Sequence, residues 1–158
     1  MQLIIRNNHG FTWIELIVVI MILSILSAVV AGSLMSSDTE LVARTEVIKT
    51  HLRYAQTRSM NSNTVWYIQL SSNSYSFFKK GEAASKLLPG GDSTTITLPS
   101  GMNITLNPSS DYVSFDDWGK PCTDKDAQIA QATDRILTVT DGSASRTITI
   151  TKNTGFIQ

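Results

Sequence analysis

The twenty residues from Leu16 to Met35 carry no charge and are aliphatic apart from a few Ser and a Gly. A helix rises ~1.5 Å per residue, so this run spans about 30 Å, the thickness of a bilayer's hydrocarbon core. One carboxylate, Glu15, stands at its head. Such an acid costs about 2.5–3.5 kcal/mol near the bilayer centre and less toward the interface, so it needs a partner or a role. A cleaved secretory signal has a shorter apolar core, roughly 7–15 residues, although "SAVVAG" at 27–32 offers small residues for such a cut. A plain single-span anchor fits the length and leaves Glu15 without a purpose.

A counter-ion exists if the chain is cut between Gly10 and Phe11. The Phe11 α-amino group then carries a positive charge at the helix start. Glu15 follows at i+4, where an acid also favours the helix dipole. When such helices pack side by side, the amine of one copy meets Glu15 of the next. Two charges that are each costly in lipid neutralise one another, which rewards one axial register. The plain alternative is a Glu15 that snorkels to the headgroups. Arg6 precedes the span while Asp38 and Glu40 follow it. The positive-inside rule therefore predicts a cytoplasmic leader, with residues 36 onward on the other side.

Beyond the apolar run, residues 36–62 predict an amphipathic helix with Leu41, Val42, Ile48, Leu52 and Ala55 on one face. Glu40 and Arg44 form an i,i+4 pair worth tenths of a kcal/mol. Ser37 and Glu40 have capping-box spacing, consistent with a fresh helix start after Gly32, and an unbroken helix fits equally well. "Asn61-Ser62-Asn63" ends the helix, and the period then changes. "TVWYIQL" (64–70) and "YSFFK" (75–79) predict a hairpin. Further strands are expected at 94–98, 102–106, 112–115, 135–140, 145–151 and 155–158, separated by "PGGD", "PSG", "NPSS", "DGSAS" and "NTG". Residues 120–134 show no strand pattern and read as an exposed loop. The fold class is α+β: a long N-terminal helix packed on a C-terminal antiparallel β-sheet domain.

"HGFTWIEL" (9–16) resembles the class III signal of type IV prepilins and type II secretion pseudopilins, a short basic leader ending in Gly, then Phe-Thr-Leu-Ile-Glu and a long apolar helix. Trp13 stands where Leu is usual, and Gly32 near where many members carry a helix-kinking Pro. The resemblance implies cleavage by a prepilin peptidase after Gly10, methylation of the Phe11 amine, and pairing of Glu15 with a neighbour's N-terminus during assembly. It divides the chain into a leader (1–10), a transmembrane polymerisation helix (11–35), the amphipathic half of that helix (36–62) and a β-rich periplasmic or extracellular domain (63–158).

"LRYAQTRSMNSNTVWYIQL" (52–70), "VSFDDWGKP" (113–121) and "RTITITKNTGFIQ" (146–158) are similar to segments found in this order in GspH/FimT-type minor pseudopilins and pilins. "FDDWGKP" also resembles minor pilins of mannose-sensitive haemagglutinin (MSHA) systems. The implied function is a structural subunit of a type IV pilus or a type II secretion pseudopilus that initiates or caps the filament. Its partners are other pilin or pseudopilin subunits, the peptidase, an inner-membrane assembly platform and membrane lipid. The alternative is a ligand-binding minor pilin, for DNA uptake or secretion-substrate recognition.

Chemistry beyond scaffolding finds few residues. The 13 basic and 13 acidic side chains balance, and removal of Arg6 with the leader leaves 12 against 13. No general attraction to nucleic acid follows. His9 leaves with the leader, and His51 lies on the helix far in sequence from any paired carboxylate, so an enzyme is not expected and no cofactor is implied. Cys122, the single cysteine, reads as a small buried hydrophobe or a thiol free to pair between chains. Asp111, Asp116, Asp117, Asp124 and Asp126 offer oxygens of the kind calcium takes, but "DDWGKPCTDKD" lacks an EF-hand pattern and turn formation is the preferred reading. Arg135, Arg146 and Lys152 are candidate phosphate contacts if they converge. The tail "TKNTGFIQ" carries Lys152 alone, and a nucleic-acid partner is not expected.

Overall fold

The computed structural model describes residues 12–34 and 37–158, the side chains of 29–34 and 37 excepted. The expected cleavage site at Gly10–Phe11 and the leader lie outside the described residues. The chain divides into two compact units, Met1–Ser36 and Ser37–Gln158.

In the first unit, helix α1 (Trp13–Leu34) runs 22 residues. Its side chains from Trp13 to Ala28 are exposed on every face, and all but Glu15 and two serines are apolar. Ser24 and Ser27 each donate to the carbonyl four residues back, of Ile20 and Leu23, both at 2.7 Å. Their hydroxyls are therefore satisfied within the helix, as an apolar environment requires. Gly32 lies inside the helix. Among the described residues no helix is long and apolar enough to cross a membrane; the described side chains of α1 stop at Ala28, short of the ~20 residues a span needs.

In the second unit, helix α2 (Ser37–Ser62) carries the core stripe. Leu41, Thr45, Ile48, Leu52, Ala55 and Ser59 recur at alternating spacings of four and three and are all buried. Val42, expected on that face, is exposed, because it sits one residue and about 100° round from Leu41. The Glu40–Arg44 pair forms at 3.5 Å. Asn63 stops the helix in the left-handed conformation, φ 48°, which Asn tolerates and most residues do not.

Two antiparallel sheets face α2. The first comprises β1 (Trp66–Leu70), β2 (Ser74–Lys79), β3 (Thr95–Thr97), β5 (Tyr112–Phe115) and β6 (Pro121–Cys122), in the order β3-β2-β1-β5-β6. The second is β4 (Asn103–Asn107), β7 (Arg135–Thr140) and β8 (Ser145–Ile150), in the order β4-β7-β8. The expected hairpin forms with Trp66 opposite Lys79 and Leu70 opposite Tyr75. Alternation then sends Ile68, Phe77, Val113 and Phe115 of one sheet, with Leu137, Val139, Ile148 and Ile150 of the other, into one core with α2.

Two further expectations need correction. The 120–134 stretch is not a free loop: Pro121 and Cys122 are buried and pair with β5, and Gln131 is buried as well. Two residues are too few for a period to show in sequence. The tail 155–158 is not a full strand either; Ile157 forms a single bridge to Ile150, with Gln158 and Thr149 exchanging both backbone bonds at 3.1 Å.

Candidate functional site

The start of α1 is built by its own sequence. Thr12 hydroxyl accepts the Glu15 amide at 3.4 Å, while the Glu15 carboxylate accepts the Thr12 amide at 3.3 Å and its hydroxyl at 3.1 Å. This is a reciprocal capping box, Thr-x-x-Glu, and it satisfies two donors that a helix start otherwise leaves open. The spacing was legible in "TWIE" as a cap, in addition to any role in charge pairing. Glu15 is thus held by local bonds in the first turn, its carboxylate bonded to the residue that follows Phe11 in sequence.

In the second unit, α2 presents two polar groups that tie distant segments together. Gln56 donates through one amide nitrogen to the carbonyls of Gly119, at 2.8 Å, and Gly155, at 2.9 Å. A Cβ on Gly155, whose φ is +66°, would overlap the Gly119 carbonyl oxygen, so only glycine allows this approach. The segments around 52–70, 113–121 and 146–158, separate in sequence, therefore meet at one point. Arg53 adds a bond to the Ile157 carbonyl at 2.8 Å, fastening the tail to the helix.

His51, also on α2, is buried between sheet and loop. Its Nε2 lies 3.1 Å from the Pro89 carbonyl, which can only accept, so Nε2 carries the proton and Nδ1 accepts from the Tyr75 hydroxyl at 2.8 Å. Burial lowers the imidazole's pKa, against the Pro89 bond, and burial pushes the Tyr75 hydroxyl up to about 12. Both ring nitrogens are engaged, so neither is free to activate Cys122. That thiol is buried, and burial first, then Asp116 and Asp124, raises it to about 11. A neutral thiol is a poor nucleophile.

Two of the candidate calcium ligands, Asp116 and Asp124, are used by their own turns. Asp116 accepts the amides of Trp118 and Lys120 at 2.9 and 2.8 Å. Asp124 accepts those of Asp126, Gln128 and Ile129. Burial pushes its carboxyl up, and these amide bonds together outweigh burial and hold it below the usual range. Asp126 lies 3.9 Å from the Lys80 ammonium, and Asp111 and Asp117 are exposed. Among the described residues, no three His, Cys, Asp or Glu side chains are grouped to hold a metal ion.

Two of the phosphate candidates, Arg135 and Arg146, do not converge; the third, Lys152, is exposed, its backbone amide bonded to the Asp134 carboxylate at 2.9 Å. Arg135 is 1% exposed and donates to the Cys122 carbonyl at 2.7 Å, so it braces the 120–134 segment from inside rather than facing solvent. Arg146 bonds Asp38 at the start of α2, at 3.2 Å. Arg135 pairs with Ile150 and Arg146 with Val139, which separates the two arginines by four ladder positions, about 13 Å. Alternation along a strand showed that Arg135 shares a face with Leu137 and Val139; its charge hid that signal.

Comparison with known proteins bears on the N-terminal motif and on the fold. Residues 5–31 match the family model "Prokaryotic N-terminal methylation motif". The fold is similar to the type IV minor pilin FimU of Pseudomonas aeruginosa in two crystal forms. The first has a TM-score of 0.55 at 15% identity, covering 77% of this chain and 88% of that one. It is also similar to the minor pseudopilin EpsH from the Type 2 Secretion System of Vibrio cholerae, with a TM-score of 0.54 at 12% identity over 75% of this chain and 94% of that one. No curated protein matches the sequence. The chain carries a prokaryotic N-terminal methylation motif, and its fold is similar to that of a type IV minor pilin and of a minor pseudopilin.

Proposed function

We propose that the chain is a minor pilin or minor pseudopilin, a structural subunit made as a precursor and built into a filament through its N-terminal helix. A prepilin peptidase cuts after Gly10, and the new Phe11 amine is methylated. Residues 11–35 hold the subunit in the bacterial inner membrane, with the leader cytoplasmic and the globular unit outside the cytoplasm. An inner-membrane platform then lifts it into the filament, where it starts or caps the polymer. Its role is scaffolding, not catalysis.

The observation that carries this reading is α1: exposed on every described face, apolar on nearly all of them, with its one carboxylate in the first turn. Such a helix needs lipid or like helices around it, and within a bundle of copies an acid at one level selects one register. The methylation motif over residues 5–31 and the fold's similarity to a type IV minor pilin support the same reading. Mass spectrometry of the mature protein from its native membrane tests it. The expected N-terminus is Phe11 carrying one added methyl group. A mature chain beginning at Met1, or within "SAVVAG", contradicts it.

A further inference from the structure

The face of the first sheet turned away from α2 carries aromatic rings that the core does not use. Tyr67 and Phe78 are cross-strand partners with rings stacked at 5.4 Å and 12°, and Tyr112 meets Tyr67 edge-on at 5.8 Å and 83°. All three are half-buried. They floor a cleft of about 430 Å³, within the range of small-molecule sites. One wall is the turn after β2, where the Glu82 carboxylate pairs with Lys79 and Lys86. The other is the 124–127 loop, closed on the Asp124 carboxylate and tied to the first wall by Lys80, whose ammonium donates to the Asp126 carbonyl at 3.1 Å. Both walls are held before any ligand arrives, which lowers the ordering cost of binding.

We propose that this cleft is a binding site for a neutral saccharide, with a sugar ring seated in the corner between Tyr67 and Tyr112 and its hydroxyls met by Gln69, Lys80, Glu82 and Asp126. The chemistry of the lining selects this class. Two ring faces at nearly a right angle suit a ligand with apolar C–H faces, and the amide, ammonium and carboxylate groups suit one with a rim of hydroxyls. Among the described residues Lys79 and Lys86 are spent on Glu82, and Lys80 lies 3.9 Å from Asp126, which leaves Lys125 as the lining's one ammonium without a carboxylate; a polyanion gains little there, since phosphate backbones need several uncompensated cations. A wholly apolar ligand would strip water from the open sides of these charged groups and return no hydrogen bond. Glu82 stays ionised as an acceptor, held down to about 2 by hydrogen bonds from Lys86 and Lys79. Tyr67 stays a donor, its hydroxyl raised by burial and then by Tyr112 and Asp126.

The proposal is independent of filament assembly. To test it, the full chain is purified in lauryldimethylamine oxide, whose headgroup carries no sugar. It is then screened on an array of neutral hexose and N-acetylhexosamine oligosaccharides, with calorimetry on the best of them and on a 15-mer of oligodeoxythymidine. Saturable binding to a neutral oligosaccharide is expected, weakened at least tenfold by Tyr112→Ala and by Gln69→Ala, with thermal melting retained in Gln69→Ala. Binding to no neutral oligosaccharide, binding only to the oligonucleotide, or affinity unchanged in both variants overturns it.

Discussion

Arg135 is a cation that the fold takes out of water; its guanidinium bonds the Cys122 carbonyl, and among the described residues no carboxylate pairs with it and its Nε has no partner. Burial of an unpaired charge costs several kcal/mol, while the aliphatic stem fills core volume. Replacing it by Met keeps the volume and removes the desolvation cost. The Ser114 hydroxyl, whose single proton goes to the Asp124 carbonyl, lies 3.4 Å from the Cys122 carbonyl and can turn to it. Arg135→Met is therefore expected within about 1 kcal/mol of the parent in urea denaturation, whereas Arg135→Ala leaves a cavity and loses about 3 kcal/mol. His51 gives a pH-dependent counterpart. Its folded pKa lies below the ordinary value of 6.5, so as pH falls through that value the unfolded chain takes up a proton that the folded chain refuses. Its stabilising contribution is full above the unfolded pKa and is lost as pH falls toward the folded one. The denaturation midpoint should drop between pH 8 and pH 5.5, and His51→Asn should flatten that slope. The depressed carboxylates Asp124 and Asp141 titrate at lower pH and do not mimic it.

At the scale of elements, α2 is held to the sheets by apolar stripe and by polar ties, and the two contribute differently. The stripe from Leu41 to Ala55 supplies burial, at ~25 cal/mol per Å² of apolar surface removed from water. Gln56 supplies position, joining the turn at Gly119 to the turn at Gly155. Gln56→Leu strands two carbonyls and is expected to cost about 1–3 kcal/mol. Gly155→Ala forces the tail off the Gly119 carbonyl at a positive φ and should cost at least about 3 kcal/mol. Gly142, also at positive φ but facing open space, is the control: Gly142→Ala should lose only about 1–2 kcal/mol, the backbone cost alone. Equal losses at the two glycines, read by urea denaturation, would show that the junction is not the constraint.

The whole molecule joins a helix that needs company to a domain that folds around its own core. Glu15 serves the helix, where its carboxylate caps the first turn locally and, in the proposed filament, meets the cleaved terminus of a neighbour. Glu15→Ala should leave membrane insertion intact, since removing a charge eases entry into lipid, while blocking filament assembly. Membrane fractionation and filament shearing separate the two effects; normal filaments from Glu15→Ala cells would count against charge pairing. Glu15→Gln preserves capping without the charge, so assembly failure in that variant as well assigns the defect to electrostatics.

Much of this was readable before any fold was known, because it rests on local spacing. An uncharged run of bilayer length, an acid at i+4 from the Phe that follows Gly10, the stripe of α2 and the alternation of β1, β2 and β7 each depend on residues a few positions apart. What tertiary structure alone decided depends on pairing across long separations. The burial of Arg135, the two-residue strand at Pro121, the meeting of Gln56 with Gly119 and Gly155, and the corner formed by Tyr67 and Tyr112 all require strands from far along the chain to settle into one register. Spacing along a chain specifies which face a side chain takes; only the packing of sheets against α2 specifies what stands opposite it.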